Sequence, residues 1–102
     1  MIQDLSILQR TATTVTIYHT ESVVGWDGYA QARDPDTDTV VAEGAVTMGI
    51  GSATEVEITF DATETAGEPG IYPWSCVGVP PAGDPVEVAS GRMTIRYNPT
   101  EV

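Results

Sequence analysis

Lysine is absent from this 102-residue chain, and arginine occurs only at Arg10, Arg33, Arg92 and Arg96. Against fifteen carboxylates, these four leave a formal net charge of -11. Association with nucleic acid draws on protein cations that release counterions, so no nucleic acid partner is expected. An anionic membrane surface would repel the chain for the same reason, and no apolar run approaches a membrane span. Cys76 is the one cysteine, which leaves no intrachain disulfide to form and no dependence on an oxidising compartment. His19 is the one histidine, and Leu5 and Leu8 are the only leucines. The opening Met1-Ile2-Gln3-Asp4-Leu5 has neither the basic nor the apolar region of a signal peptide, so synthesis and folding in the cytosol are expected.

What fills the chain instead is threonine, valine and isoleucine. These β-branched residues lose rotamer freedom on a helix and pack well on a pleated surface, so the composition favours strands. Length fits a single domain over residues 1–102, with room for one modest core. Alternation is clearest in Glu55–Phe60, with Val56, Ile58 and Phe60 inward. It recurs in Thr13–His19 (Val15 and Ile17 inward) and in Arg92–Tyr97 (Met93, Ile95 and Tyr97 inward). Further strands are expected at Asp4–Leu8, Tyr29–Arg33, Thr39–Ala42, Val46–Ile50, Tyr72–Val77 and Pro85–Ala89. Glycine-, proline- and aspartate-rich turns punctuate them, among them Gly25-Trp26-Asp27-Gly28 and Gly67-Glu68-Pro69-Gly70. Asp61–Ala66 is the one candidate helical turn, with Asp61 as N-cap and Glu64 completing a capping box. Seven to nine short strands so separated predict an all-β fold, an immunoglobulin-like antiparallel β-sandwich.

Residues that could carry chemistry are few and scattered. Asp34, Asp36 and Asp38 alternate as in the start of a calcium loop, but Thr39 and Ala45 stand where an EF-hand needs Gly and Glu. A solvated turn is the expected reading. A thiol enzyme needs a base held beside its sulfur, and a single Cys and a single His on separate strands do not establish that pair. Cys76 shares its parity with Tyr72 and Trp74, which places all three in the core. Zinc lacks ligands at close spacing. No catalytic residue, cofactor site or metal site is therefore expected. Trp26 sits in a glycine-rich turn, where a surface anchor is the natural reading, and it is taken with Asp27 and Tyr29 as the candidate partner interface. Trp26 and Tyr29 also leave open a carbohydrate-stacking platform.

Read in order, Asp4-Leu5-Ser6-Ile7, Val24-Gly25-Trp26-Asp27-Gly28-Tyr29 running to Arg33-Asp34, Val56–Phe60, Pro69-Gly70-Ile71-Tyr72 and Ala89-Ser90-Gly91-Arg92 form a pattern over residues 3–97. It resembles small immunoglobulin-like virion structural proteins of tailed bacteriophages and the N-terminal domain of phage baseplate upper proteins. Pro73 and Thr11–Thr13 depart from the family pattern. The resemblance implies a non-enzymatic protein of the virion, made in the host bacterial cytoplasm. It implies a head decoration or cement protein on the capsid exterior, with a tail, neck or baseplate adaptor as the alternative. The implied partners are the major capsid protein or other virion proteins, with further copies of the chain forming a homo-oligomer in the particle.

Overall fold

The structure, a computed structural model, describes residues 1–100. Seven strands follow one another: β1 (Leu5–Leu8), β2 (Thr13–Tyr18), β3 (Asp27–Arg33), β4 (Val40–Met48), β5 (Glu55–Phe60), β6 (Gly70–Val79) and β7 (Val86–Arg96). A 3-10 turn, Glu64–Ala66, lies between β5 and β6. The order across the sheet is β1-β7-β6-β3-β4-β5-β2, folded over on itself into a nearly closed all-β sandwich. All pairings are antiparallel except that of β1 with β7, which is parallel. The sheet is therefore mixed, a correction to the fully antiparallel expectation. β1 enters beside β7 running in the same direction, and the chain then crosses to the opposite layer to begin β2.

β4 joins the two layers. Its first half pairs with β3 (Ala30↔Gly44, Ala32↔Ala42) and its second half with β5 (Ala45↔Thr59, Met48↔Val56). Gly44 stands at the crossing. A Cβ there would lie 2.9 Å from Ile58 Cγ2 and 3.0 Å from Phe60 Cε1, so the bend needs the bare backbone. This crossing unites two expected strands, Thr39–Ala42 and Val46–Ile50, into one. Ile50 falls in the following loop, exposed.

The core lies between the layers and follows the alternation: Val56, Ile58 and Phe60 from β5, Tyr72, Trp74 and Cys76 from β6, and Met93 and Ile95 from β7. Phe60 and Trp74 meet edge to face, with ring centroids 6.3 Å apart. Pro85–Ala89 and Arg92–Tyr97 merge into the single strand β7. Its register slips where Cys76 faces Ala89 but Val77 faces Glu87, a bulge that leaves Val88 over and buries Val88 and Ala89 consecutively. Pro73 lies in β6 one residue past the last pair with β3, Ala32↔Trp74, and is paired with Arg92 alone, so its missing N–H interrupts no second ladder. Tyr97 is not inward as expected: β7 stops at Arg96, and Tyr97 is 67% exposed.

The N-cap of the 3-10 turn is Thr63 rather than Asp61, which lies two residues before it and closes the bend there, its Oδ1 accepting from the Thr63 hydroxyl at 2.6 Å and the Glu64 amide at 3.0 Å. These bonds hold the Asp61 carboxyl below its usual pKa. Glu64 does not close a capping box. It reaches across to accept the Glu43 amide of β4 at 2.8 Å.

Candidate interaction surface

β3 carries Asp27 and Tyr29 of the residues singled out from the sequence, with Trp26 just before it, and its parity sorts them. Ala30 and Ala32 are buried, so Asp27, Tyr29, Gln31 and Arg33 point outward from the β3-β6-β7 layer. Tyr29 is 49% exposed and stands opposite Val77, while Asp27 stands opposite Val79. Asp27 and Tyr29 thus share one outer surface.

Trp26 faces the other way. The preceding turn is closed by the Trp26 amide on the Val23 carbonyl at 3.1 Å, with Gly25 at φ +80°, the third-residue geometry of a type II turn. This turn folds the indole inward at the end of the sandwich. A Cβ on Gly78 would lie 2.8 Å from Trp26 Cε3, so the ring occupies the space that Gly78 leaves. His19 lies against it, half-buried, with ring centroids 5.7 Å apart. Trp26 does not stand free in its turn, as a surface anchor is expected to: the ring is half-buried and packs on the core. The turn residues supplied the wrong cue, because it is Gly78, remote in sequence, that makes room for the ring. Trp26 and Tyr29, pointing to opposite sides of β3, form no shared stacking platform.

The outer surface continues past Tyr29 into an open depression of about 400 Å³ whose rim includes Gln31, Arg33, Ser75, Glu87 and Ser90. Its polar groups bond mainly to each other. Arg33 donates to Gln31 Oε1 at 3.0 Å and to the Asp38 carbonyl at 2.7 Å, and Gln31 donates to Glu43 at 3.2 Å. The acidic run forms the turn at its end. Asp34 Oδ1 accepts the Asp36 amide at 2.8 Å, and Asp38 takes a left-handed conformation, φ +57°. Among the described residues, no three His, Cys, Asp or Glu side chains are placed to share a cation.

Cys76 is fully buried between Ala30 and Ala89 on the flanking strands, and burial pushes its thiol up to about 11. At neutral pH it is a protonated apolar filler rather than a nucleophile. His19 belongs instead to the Trp26 cluster at the sandwich end.

Sequence reasoning missed a polar clamp at the opposite end of β1. Gln9 and Asn98 are buried. Gln9 Nε2 donates to the Gly67 carbonyl at 2.8 Å, Asn98 Nδ2 to the Gln9 carbonyl at 2.9 Å, and Arg10 to the Asn98 carbonyl at 2.7 Å. The fully buried Thr65 hydroxyl completes it on the Thr11 carbonyl at 2.8 Å. These partners lie tens of residues apart, and no local spacing announces them.

No protein-family model matches the chain, and no curated protein matches it either. Among solved structures, it is similar to a chain in the work described as "Structural basis of T cell specificity and activation by the bacterial superantigen toxic shock syndrome toxin-1". The match has a TM-score of 0.56 at 9% identity and covers 91% of this chain and 92% of that one. At that identity the likeness concerns the β-sandwich alone.

Proposed function

We propose that this chain is a non-enzymatic structural protein of a tailed-bacteriophage virion, a decoration protein bound to the capsid exterior. The observation that carries this reading is the outward row of β3, where Asp27 and the half-exposed Tyr29 lie beside Val77 and Val79 on an otherwise strongly acidic domain. An aromatic ring set on a rigid strand among aliphatic neighbours is the usual anchor of a protein contact. The resemblance of residues 3–97 to small virion proteins supplies the setting, and net charge supports it. A body of charge -11 is repelled by the packaged genome and suits an outer surface. The proposed partner is the major capsid protein, with several copies of this chain around each lattice symmetry axis.

The tail, neck or baseplate site uses the same surface and differs only in the partner. Particles assembled with Tyr29→Ala in place of the wild-type protein test the reading. Their copy number, measured by quantitative mass spectrometry, is expected to fall several-fold while the variant folds normally. Wild-type protein missing from purified particles would end the virion reading. Its presence only in isolated tails would move it from the head.

A further inference from the structure

A sandwich whose sheet does not close has strand edges, and the order of this one ends on β1 and β2. β1 is short, four residues, and β4 is covered where it runs beside β3. There Glu64 accepts the Glu43 amide at 2.8 Å, and Gly67 packs against Val41. β2, at the end of the strand order, pairs only with β5. Its sequence, Thr13-Thr14-Val15-Thr16-Ile17-Tyr18, holds no charge, no proline and no bulge, the three devices that ordinarily blunt an edge.

The register identifies which backbone groups are bare. The His19 amide bonds to the Thr54 carbonyl at 2.9 Å, which makes that opposed pair a hydrogen-bonded one. Antiparallel ladders alternate, so Ile17, Val15 and Thr13 also direct their backbone groups to β5. Thr14, Thr16 and Tyr18 direct theirs away from it. On the far side of β5, the Gly49 amide meets the Glu55 carbonyl at 2.8 Å, as the same alternation requires. Among the described residues no strand meets the outward N–H and C=O groups of Thr14, Thr16 and Tyr18. They are six backbone positions spaced for one more strand.

We infer that the β2 edge is a docking site for an extended, basic segment of a partner protein, which adds to the sheet as an eighth strand. The inference rests on the reading of this chain as a protein-binding domain and names a second surface on it. Charge selects the occupant. On the outer face, Tyr18 and Thr16 stand opposite Glu55 and Glu57 of β5. Glu55 is held by the Gly51 amide at 3.1 Å, but Glu57 is exposed, and an added strand about 10 Å from β5 would bring lysine or arginine side chains at alternate positions onto that face. Its intervening apolar side chains would lie against Val15, which is only half-buried in the free domain. A second copy of this chain fits poorly. Pairing β2 with β2 would bring together two bodies of charge -11 and offer the glutamates no cation.

The probes are two blocked octapeptides, one alternating lysine with valine and one alternating glutamate with valine, added to the full chain. Amide hydrogen exchange is followed by NMR. With the lysine peptide, exchange at Thr14, Thr16 and Tyr18 is expected to slow by about tenfold or more, with the effect weakening as salt is raised. The glutamate peptide should leave those amides unchanged. Thr16→Pro removes the central outward donor without touching the β5 ladder and should abolish the protection. Thr16→Lys keeps the backbone and adds a repelling cation, and gives the same reading should proline unfold the domain. Equal protection by both peptides, protection elsewhere only, or a wild-type dimer protected at these amides would overturn the inference. Its failure is separable from that of the virion reading. Particles that retain full occupancy with Thr16→Lys, when no lysine-peptide protection is seen, leave only the outer surface standing. Peptide docking by a protein absent from particles leaves only the edge.

Discussion

Truncating Ile58 to alanine tests the layered core where it is best determined. Ile58 is fully buried at the middle of β5, opposite Val15 of β2 and Val46 of β4, and its Cγ2 covers the backbone of Gly44. Removing three carbons forfeits about 2.4 kcal/mol of transfer free energy at about 0.8 kcal/mol each. The space left behind is poorly refilled, because Gly44 has no side chain to move into it and Phe60 is held by Trp74. A cavity term therefore adds to the loss, for a total of about 3–5 kcal/mol. For a domain of this size that corresponds to a fall in Tm of about 15–30 °C. Urea unfolding followed by tryptophan fluorescence measures it, with the slope m unchanged if only stability has moved. Glu57→Ala, one residue away on the outward face, is the comparator and should stay within about 0.5 kcal/mol. A loss below about 1 kcal/mol for Ile58→Ala, or equal losses for the two variants, would refute the assignment of faces in β5.

Trp26→Ala should cost about 1–3 kcal/mol in the same assay, less than a fully buried tryptophan, because its ring fills the gap over Gly78. A loss within about 0.5 kcal/mol would return Trp26 to the surface. Cys76 should resist iodoacetamide in the native protein and react at the rate of unfolding. Fast alkylation without unfolding would contradict its burial. Because the folded thiol titrates at about 11, above its ordinary value of 9.0, the stability it contributes is fully present below pH 9 and is lost as pH rises toward about 11. Tyr72, raised by burial and then by Asp34 and Glu68, extends the decline above pH 10, and Cys76→Ala should flatten only the lower part.

The all-β class and the inward rows of β2 and β5 were legible because an alternating pattern over a half-buried strand has one solution. Tyr72, Trp74 and Cys76 were placed correctly by the same parity, although Pro73 lies among them. Errors arose where a tertiary partner decides. The bulge at Val88 breaks the alternation and so hides the continuity of β7. Gly44 carries a strand from one layer to the other, yet reads locally as a turn residue between two strands. The Trp26 ring is placed by Gly78, and the Glu64 carboxylate by Glu43. Of the expected interface, Asp27 and Tyr29 share an outer surface, and Trp26 belongs to the sandwich end.

The bare edge of β2 and the fixed position of the N-terminal segment have one cause. Residues 1–8 could in principle have lain along β2, the strand that follows them. Four hydrogen bonds commit them to β7 and its neighbour β6 instead. The Trp74 indole donates to the Gln3 carbonyl at 2.8 Å, the Arg92 amide donates to Asp4 Oδ1 at 3.0 Å, the Gln3 amide donates to the Ser90 carbonyl at 2.8 Å, and the Ser90 amide donates to the Met1 carbonyl at 3.0 Å. Gly91 makes this approach possible, since a side chain there would collide with the Gln3 backbone. A buried indole left without an acceptor is costly, so the attachment to β7 is strongly preferred. Parallel pairing with β7 then turns the chain at Gln9–Ala12, and the polar clamp of Gln9, Arg10 and Asn98 fixes that turn. β2 begins only after it, with no strand on its far side among the described residues. At this edge the acidic side chains disfavour pairing of two copies through the field of the whole body rather than through charges on the edge itself. A basic segment feels the opposite force, so the same field that prevents self-pairing at β2 draws in the strand that the edge can accept.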